Sequence, residues 1–153
     1  MNKYRLLFLL LLASSHSAQN LVLNEVMASN NTTIYDEDGD ASYWIELYNK
    51  GNEQISLTGY SLSDDTVKTN KWIFGNTIIK PDEHLVVFAS GKDRNTSFLH
   101  TNFNVSASGE SVILCDSRGI VIDRVNVPAS QSDISYGRES DGAAKWIFQS
   151  ASP

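Results

Sequence analysis

Cysteine is almost absent from this sequence, since Cys115 is the single thiol in 153 residues. No internal disulfide can form, so a hydrophobic core has to hold the fold together. Cys115 lies in the apolar run SVILCDS, without basic or imidazole neighbours. That setting favours a small buried side chain over a reactive thiolate.

Positive charge is also scarce, with 12 Lys and Arg against 18 Asp and Glu and a net charge of −6. Without Lys3 and Arg5, which belong to the N-terminal segment, ten basic residues face 18 acidic ones and the net charge is −8. Proteins that hold nucleic acid rely on clustered Lys and Arg. The sequence therefore predicts no nucleic-acid partner.

Long hydrophobic runs are missing except at the N-terminus, where Leu6 to Ala13 follows two basic residues and precedes small ones. A membrane-spanning helix needs about 20 apolar residues, so no transmembrane segment is predicted. The pattern is typical of a secretory signal peptide, here residues 1–18. Residues 19–153 then form one domain that is secreted or extracytoplasmic, in the periplasm or at the cell surface.

A sustained helical period is lacking as well, while short runs rich in Val, Ile, Tyr, Phe and Trp alternate with turn clusters. Turns about ten residues apart predict an all-β fold, either a sandwich or a barrel. In LNEVM, Leu23 and Val26 cannot share one face of a regular strand, which predicts a bulge. The predicted strands are 21–28, 43–49, 54–57, 60–64, 71–75, 84–90, 110–116, 119–127 and 134–138.

Groups that perform catalysis are few. Beyond the N-terminal segment the histidines are His84 and His100, and they do not have a metal-ligand spacing. No GxSxG elbow, phosphate-binding glycine loop or paired-cysteine motif is present. We predict that the chain is not an enzyme, with His84 as a turn residue and His100 as a capping or packing residue.

Carboxylates, in contrast, are concentrated in the stretch DEDGD, where Asp36, Asp38 and Asp40 alternate. Alternate oxygens of a tight loop can point at one calcium ion. The EF-hand pattern is excluded because its glycine and glutamate positions hold Ala41 and Leu47. Two interpretations stay open: another kind of calcium loop with the three aspartates as ligands, or a solvated turn in which Gly39 takes a positive φ. Accordingly, no cofactor is predicted other than this calcium ion.

Seven segments, in order, resemble the lamin-tail domain family over about Leu21 to Trp146. The segments are LNEVMASN, DEDGDASYWIELYN, ISLTGYSLSDD, KWIF, HLVVFASGKD, LHTNFNVSASGESVIL and DISYGR. With its N-terminal signal and without a heptad-bearing rod, the chain is similar to bacterial secreted members of the family.

The resemblance implies an immunoglobulin-like β-sandwich without established catalytic residues. It also implies an accessory module that mediates protein association or adhesion, with a protein or surface polymer as partner. Tyr43 stands where relatives usually carry an acidic residue, and the chain ends at QSASP rather than in a Pro-Gly-rich tail. The second departure leaves room for an alternative, a calcium-stabilised accessory domain cut from a larger secreted hydrolase or nuclease.

Overall fold

The computed structural model describes residues 20–151, and these residues form strands, turns and loops without a helix. The predicted all-β class is therefore confirmed. The predicted signal peptide lies outside the described residues. Within the described range, no helix is long and apolar enough to cross a membrane. The strands are β1 (Leu21–Met27), β2 (Tyr43–Asn49), β3 (Ile55–Ser56), β4 (Ser61–Ser63), β5 (Trp72–Ile73), β6 (Ile78–Ile79), β7 (His84–Ala89), β8 (Arg94–Asn95), β9 (Leu99–His100), β10 (Glu110–Cys115), β11 (Val121–Val127), β12 (Ile134–Arg138) and β13 (Trp146–Ser150).

Two sheets contain most of the strands in the described chain. The larger has seven strands in the order β13-β12-β1-β2-β7-β9-β8, and the smaller has four in the order β11-β10-β4-β5. A separate two-stranded sheet pairs β3 with β6. Neighbouring strands run antiparallel except for β7 and β9, which meet in parallel where Phe88 pairs with His100.

The predicted bulge in β1 is confirmed. The register against β2 shifts between Leu23, which pairs with Leu47, and Glu25, which pairs with Glu46. One extra residue therefore lies in the middle of β1. Because of it, Leu23 and Val26 both reach the core although they are three positions apart.

The main core fills the space between the two large sheets. Ile45 and Leu47, two positions apart on β2, point into it, and Leu62 and Val112 face them from the smaller sheet. All four side chains are fully buried. This burial against a facing sheet is the main stabilising term of a sandwich.

A second, smaller apolar cluster covers the outer face of the larger sheet. Met27, Trp44 and Phe88 are buried there, and Ile34 packs against them. Ile34 belongs to the connection between β1 and β2, which also contains the acidic stretch. The cluster thus holds this connection against the sheet, beside the loop that follows β7.

Candidate functional site

The acidic stretch forms a tight turn centred on Asp36. The amide of Gly39 donates to the backbone oxygen of Asp36 at 2.9 Å, and Gly39 has a φ of 82°. Oδ1 of Asp36 accepts hydrogen bonds from the amides of Asp38 at 3.0 Å and Asp40 at 3.1 Å. The positive φ predicted for Gly39 is confirmed. Asp36 itself is buried, however, whereas a solvated turn would expose it.

Lys92 places its ammonium group among all three aspartates. Its Nζ lies 2.6 Å from Oδ2 of Asp36 and 2.8 Å from Oδ2 of Asp38 and of Asp40. One oxygen from each carboxylate lies within 4.8 Å of the others, close enough to ligate one ion. Carboxylate oxygens are the donors that calcium prefers, so the donor set fits this ion. The Lys92 ammonium occupies the position between the three carboxylates that the ion would take, so a calcium ion would have to displace it.

The ion pairs shift the acidities of these groups. Burial alone would raise the pKa of Asp36, but hydrogen bonds from Lys92, from the Ser42 hydroxyl and from local amides hold its pKa well below the usual range. Partial burial would lower the pKa of Lys92, yet the hydrogen bonds to the aspartates raise its pKa above the usual range. Both groups therefore stay charged across the physiological pH range.

A second group of hydrogen-bonded side chains, Ser90, His100 and Glu37, lies next to the aspartates and Lys92. His100 is fully buried, and its Nδ1 lies 2.8 Å from Oγ of Ser90 while its Nε2 lies 2.8 Å from Oε2 of Glu37. The other carboxylate oxygen of Glu37 accepts from Arg94 at 2.7 Å. The imidazole also stacks on Phe88, with ring centroids 5.1 Å apart. His100 is thus a packing residue, one of the two roles predicted for it.

The order hydroxyl, imidazole, carboxylate is the one that activates a serine nucleophile in hydrolases. Here the hydroxyl of Ser90 also accepts a hydrogen bond from the amide of Lys92 at 3.3 Å. Arg94 shares the carboxylate of Glu37, and the imidazole has no exposed surface. These contacts tie the loop after β7 to the acidic turn.

His84 lies apart from this group, at the start of β7. His84 lies four positions before Phe88 on the same strand, a separation of about 13 Å, and Phe88 is the residue that pairs with His100. Its Nε2 lies 3.2 Å from Oδ1 of Asp141, and its ring stacks on Tyr48 at 4.6 Å. The two histidines therefore do not share a site.

A pair of glutamates lies near His84, on the outer face of the larger sheet. Glu25 and Glu46 are cross-strand partners, and both are buried. Burial raises the pKa of Glu46, and the charges of Glu25 and Asp141 add to this effect against a hydrogen bond from Asn24. The carboxyl of Glu46 is thus easier to protonate than an exposed one.

A shallow cleft of about 420 Å³ opens beside the acidic turn. Its floor is where β2 begins and β7 ends, since Tyr43 pairs with Ala89. Tyr43 therefore lies next to the aspartates and lines this opening. The lining residues are Asp40, Ala41, Ser42, Tyr43, Ser90, Lys92 and Asn104.

Sequence reasoning brought the three aspartates together but missed Lys92, Ser90 and the pairing of Glu37 with His100. The segment SGKDR has the composition of a turn, and nothing in it indicates a partner more than 50 residues earlier. The structural role predicted for Cys115 is confirmed, since the thiol is free and buried.

Comparison with known protein families identifies the family of this chain. No curated protein matches the chain. The family model described as Lamin Tail Domain matches residues 14–129, which takes in β1 to β11. That family has the immunoglobulin-like β-sandwich fold and is non-catalytic, so the fold expected from the resemblance is confirmed. The chain therefore belongs to the Lamin Tail Domain family.

Proposed function

We propose that this chain is an exported, non-catalytic module of bacterial type that attaches to a protein or a polymer at the cell surface. The observation that carries the proposal is how the sandwich uses its ionisable side chains. Lys92 is held by three aspartates, and His100 is buried between Ser90 and Glu37. These groups hold the loops against the sheet. Such bracing suits a rigid module that acts by binding through its surface.

The larger sheet also ends in an edge strand, β13. Phe148 on this strand is 47% exposed and lines a second opening of about 420 Å³ together with Ile134. The backbone groups of an edge strand can pair with an added strand, and an apolar side chain beside them increases the contact. Such an edge supports attachment to another molecule.

The proposal is tested by expressing the full chain with its own N-terminal segment in a secreting host. We expect an exported product that begins at about residue 19. The purified product should bind saturably to washed envelopes of the cells that naturally produce it. Protease treatment of the envelopes removes binding to a protein, and periodate treatment removes binding to a polysaccharide. Retention inside the cell, or only unsaturable binding, contradicts the proposal.

Catalysis is tested separately, because Ser90, His100 and Glu37 have the residue types of a hydrolase site. We expect no labelling of Ser90 by a fluorophosphonate probe and no turnover of nitrophenyl esters above the Ser90→Ala background. Labelling that disappears in Ser90→Ala and in His100→Gln would show an enzyme instead.

We propose calcium stabilisation as a second candidate, since the three aspartates gather their oxygens within 4.8 Å. In this case the chain is an accessory domain whose acidic turn is closed by Ca²⁺ instead of Lys92. The ion would supply two positive charges where the ammonium supplies one.

A further inference from the structure

We propose that the cleft over Tyr43 binds a neutral sugar unit of a surface polysaccharide. This inference rests on the proposed function, because it names the class of partner that the module attaches to. It concerns the cleft alone and does not require the edge strand β13.

The size and position of the cleft suit one or two sugar rings. Its volume of about 420 Å³ is at the lower end of the range of about 300–1,000 Å³ that holds small ligands. The cleft lies between two loops that the Lys92 ion pairs join, so its walls are fixed before a ligand arrives. A preformed site loses little conformational entropy on binding.

The chemistry of the lining matches a polyhydroxyl ligand. Tyr43 is half-buried, with its ring packed against the main core, and its hydroxyl makes no hydrogen bond within the described residues. In the orientation that satisfies its surroundings, the Asn104 amide nitrogen donates to the oxygens of Ala89 at 2.9 Å and Ser90 at 3.2 Å, and the exposed side chain borders the cleft. Oδ2 of Asp40 accepts a hydrogen bond from Lys92, and the Asp40 side chain is 66% exposed. Sugar hydroxyls both donate and accept, so they can satisfy such a mixed set.

Charge argues against an anionic ligand. Four carboxylates, those of Asp36, Glu37, Asp38 and Asp40, surround the ammonium of Lys92 and the guanidinium of Arg94. The local sum is negative, and the whole chain carries −6. Phosphate-bearing or otherwise acidic polymers are therefore repelled, whereas a neutral sugar is not.

The composition of the lining also disfavours a protein partner at this place. Cores of protein interfaces are enriched in large aromatic residues, Met and Arg and depleted in Lys, Asp, Ser and Ala. The cleft has one aromatic side chain, Tyr43, and the depleted residue types make up most of the rest. A neutral sugar suits this lining, because its hydroxyls hydrogen-bond to the polar groups and its C–H groups contact the exposed part of the half-buried Tyr43.

The test uses the ¹⁵N-labelled protein and four neutral probes: the methyl glycosides of glucose, galactose, mannose and N-acetylglucosamine. We expect at least one probe to shift the amide signals of Tyr43, Ser90 and Asn104 with a millimolar Kd, as suits a ligand of one ring. Tyr43→Ala should weaken this binding about tenfold. The matched control is Tyr35→Ala, because Tyr35 is 57% exposed and does not line the cleft.

Tyr43 also packs against the core, so its variant is checked by thermal melting. Asp40→Ala provides a second variant that removes an exposed side chain, and it too should weaken binding. The proposal is overturned if no probe shifts the cleft signals at about 50 mM, because this concentration is high enough to detect binding free energies of only a few kcal/mol. It is also overturned if a chelator abolishes the shifts, since binding then depends on a metal ion.

The outcomes separate this inference from the proposed function. Envelope binding that survives periodate and is unchanged in Tyr43→Ala leaves the attachment module standing and assigns it a protein partner. Envelope binding that is lost both after periodate treatment and in Tyr43→Ala supports the sugar site.

Discussion

Nζ of Lys92 lies 2.6 Å from Oδ2 of Asp36, a carboxylate 56 residues earlier in the chain and without exposed surface. This contact joins the connection between β1 and β2 to the loop after β7. The same connection contains Ile34, which packs against the cluster of Trp44 and its neighbours. The ion pair therefore helps to hold Ile34 over the outer apolar cluster.

Replacing Lys92 with Met should destabilise the protein in the absence of calcium. The change leaves Asp36 and Asp40 without their cation and Asp38 with Arg94 alone, and removal of one partner of a buried ion pair is strongly destabilising. Lys92 is 20% exposed, so we expect a loss of roughly 2–3 kcal/mol, less than for a fully buried pair. Denaturant unfolding measures this loss.

Calcium should restore the stability of Lys92→Met, and it should raise the Tm of this variant more than that of the wild type. The reason is that the variant has lost the ammonium that competes with the ion. Lys71→Met is the matched control, since Lys71 pairs with Asp64 outside the acidic turn. If millimolar calcium shifts neither wild type nor variant, the calcium candidate is wrong.

Acid should remove the contribution of Asp36. Its pKa is lower in the folded protein than the ordinary value of 3.8, so its stabilisation is present above that value and is lost as the pH falls through the folded pKa. The stability difference between wild type and Asp36→Asn should therefore be large at pH 7 and shrink steadily below about pH 4.

The control for this experiment is Asp65→Asn. The pKa of Asp65 is also lowered, by hydrogen bonds from the amides of Lys68 and Val67, but this carboxylate interacts through solvent-exposed contacts. Solvent screening should make its effect the smaller of the two. An equal or larger effect at Asp65 would show that Asp36 contributes no special stability.

Glu46→Gln should stabilise the protein at neutral pH. The pKa of Glu46 in the folded protein is raised above 4.5. Its contribution to folding stability is therefore fully present below that value and is lost as the pH rises through the folded pKa. Gln stays neutral and can still accept the hydrogen bond that Asn24 donates at 2.9 Å. We expect the Tm to rise by roughly 2–5 °C at pH 7 and to show no gain below about pH 4. A fall in Tm at pH 7 would show that the charged carboxylate is needed.

Ile45→Ala should cost about 2–5 kcal/mol, because Ile45 is fully buried between the sheets and its truncation leaves a cavity. Ile73→Ala serves as the control with identical chemistry, since Ile73 is 50% exposed on β5. Its cost should stay below about 1 kcal/mol. Similar losses of unfolding free energy for the two variants would show that Ile45 is not part of the main core.

The sequence predicted the long strands well, because alternation and β-branched residues are local signals. It missed β6, β8 and β9, which are two residues each. These strands form only through pairing in the folded chain, β6 with β3, β9 with β7 at Phe88, and β8 with β9. It also missed β13, whose WIFQS follows a polar turn and pairs with β12 only in the folded chain.

At the candidate site the same division holds. The alternation of Asp36, Asp38 and Asp40 was visible in the sequence, because neighbouring residues in a tight turn define it. The position of Lys92 depends on how β7 lies beside β2, and no local pattern records that. The burial of His100 likewise follows from a strand pairing that the spacing of histidines does not indicate.

The bulge in β1 makes one residue of a central strand dispensable for the ladder. If Asn24 were deleted, Leu23 and Glu25 would become neighbours that already pair with the consecutive residues Leu47 and Glu46. The inward and outward directions of the remaining side chains would be kept, and only the bonds of Asn24 itself would be lost. A strand at the heart of the domain could thus shorten by one residue during evolution without exchanging its two faces.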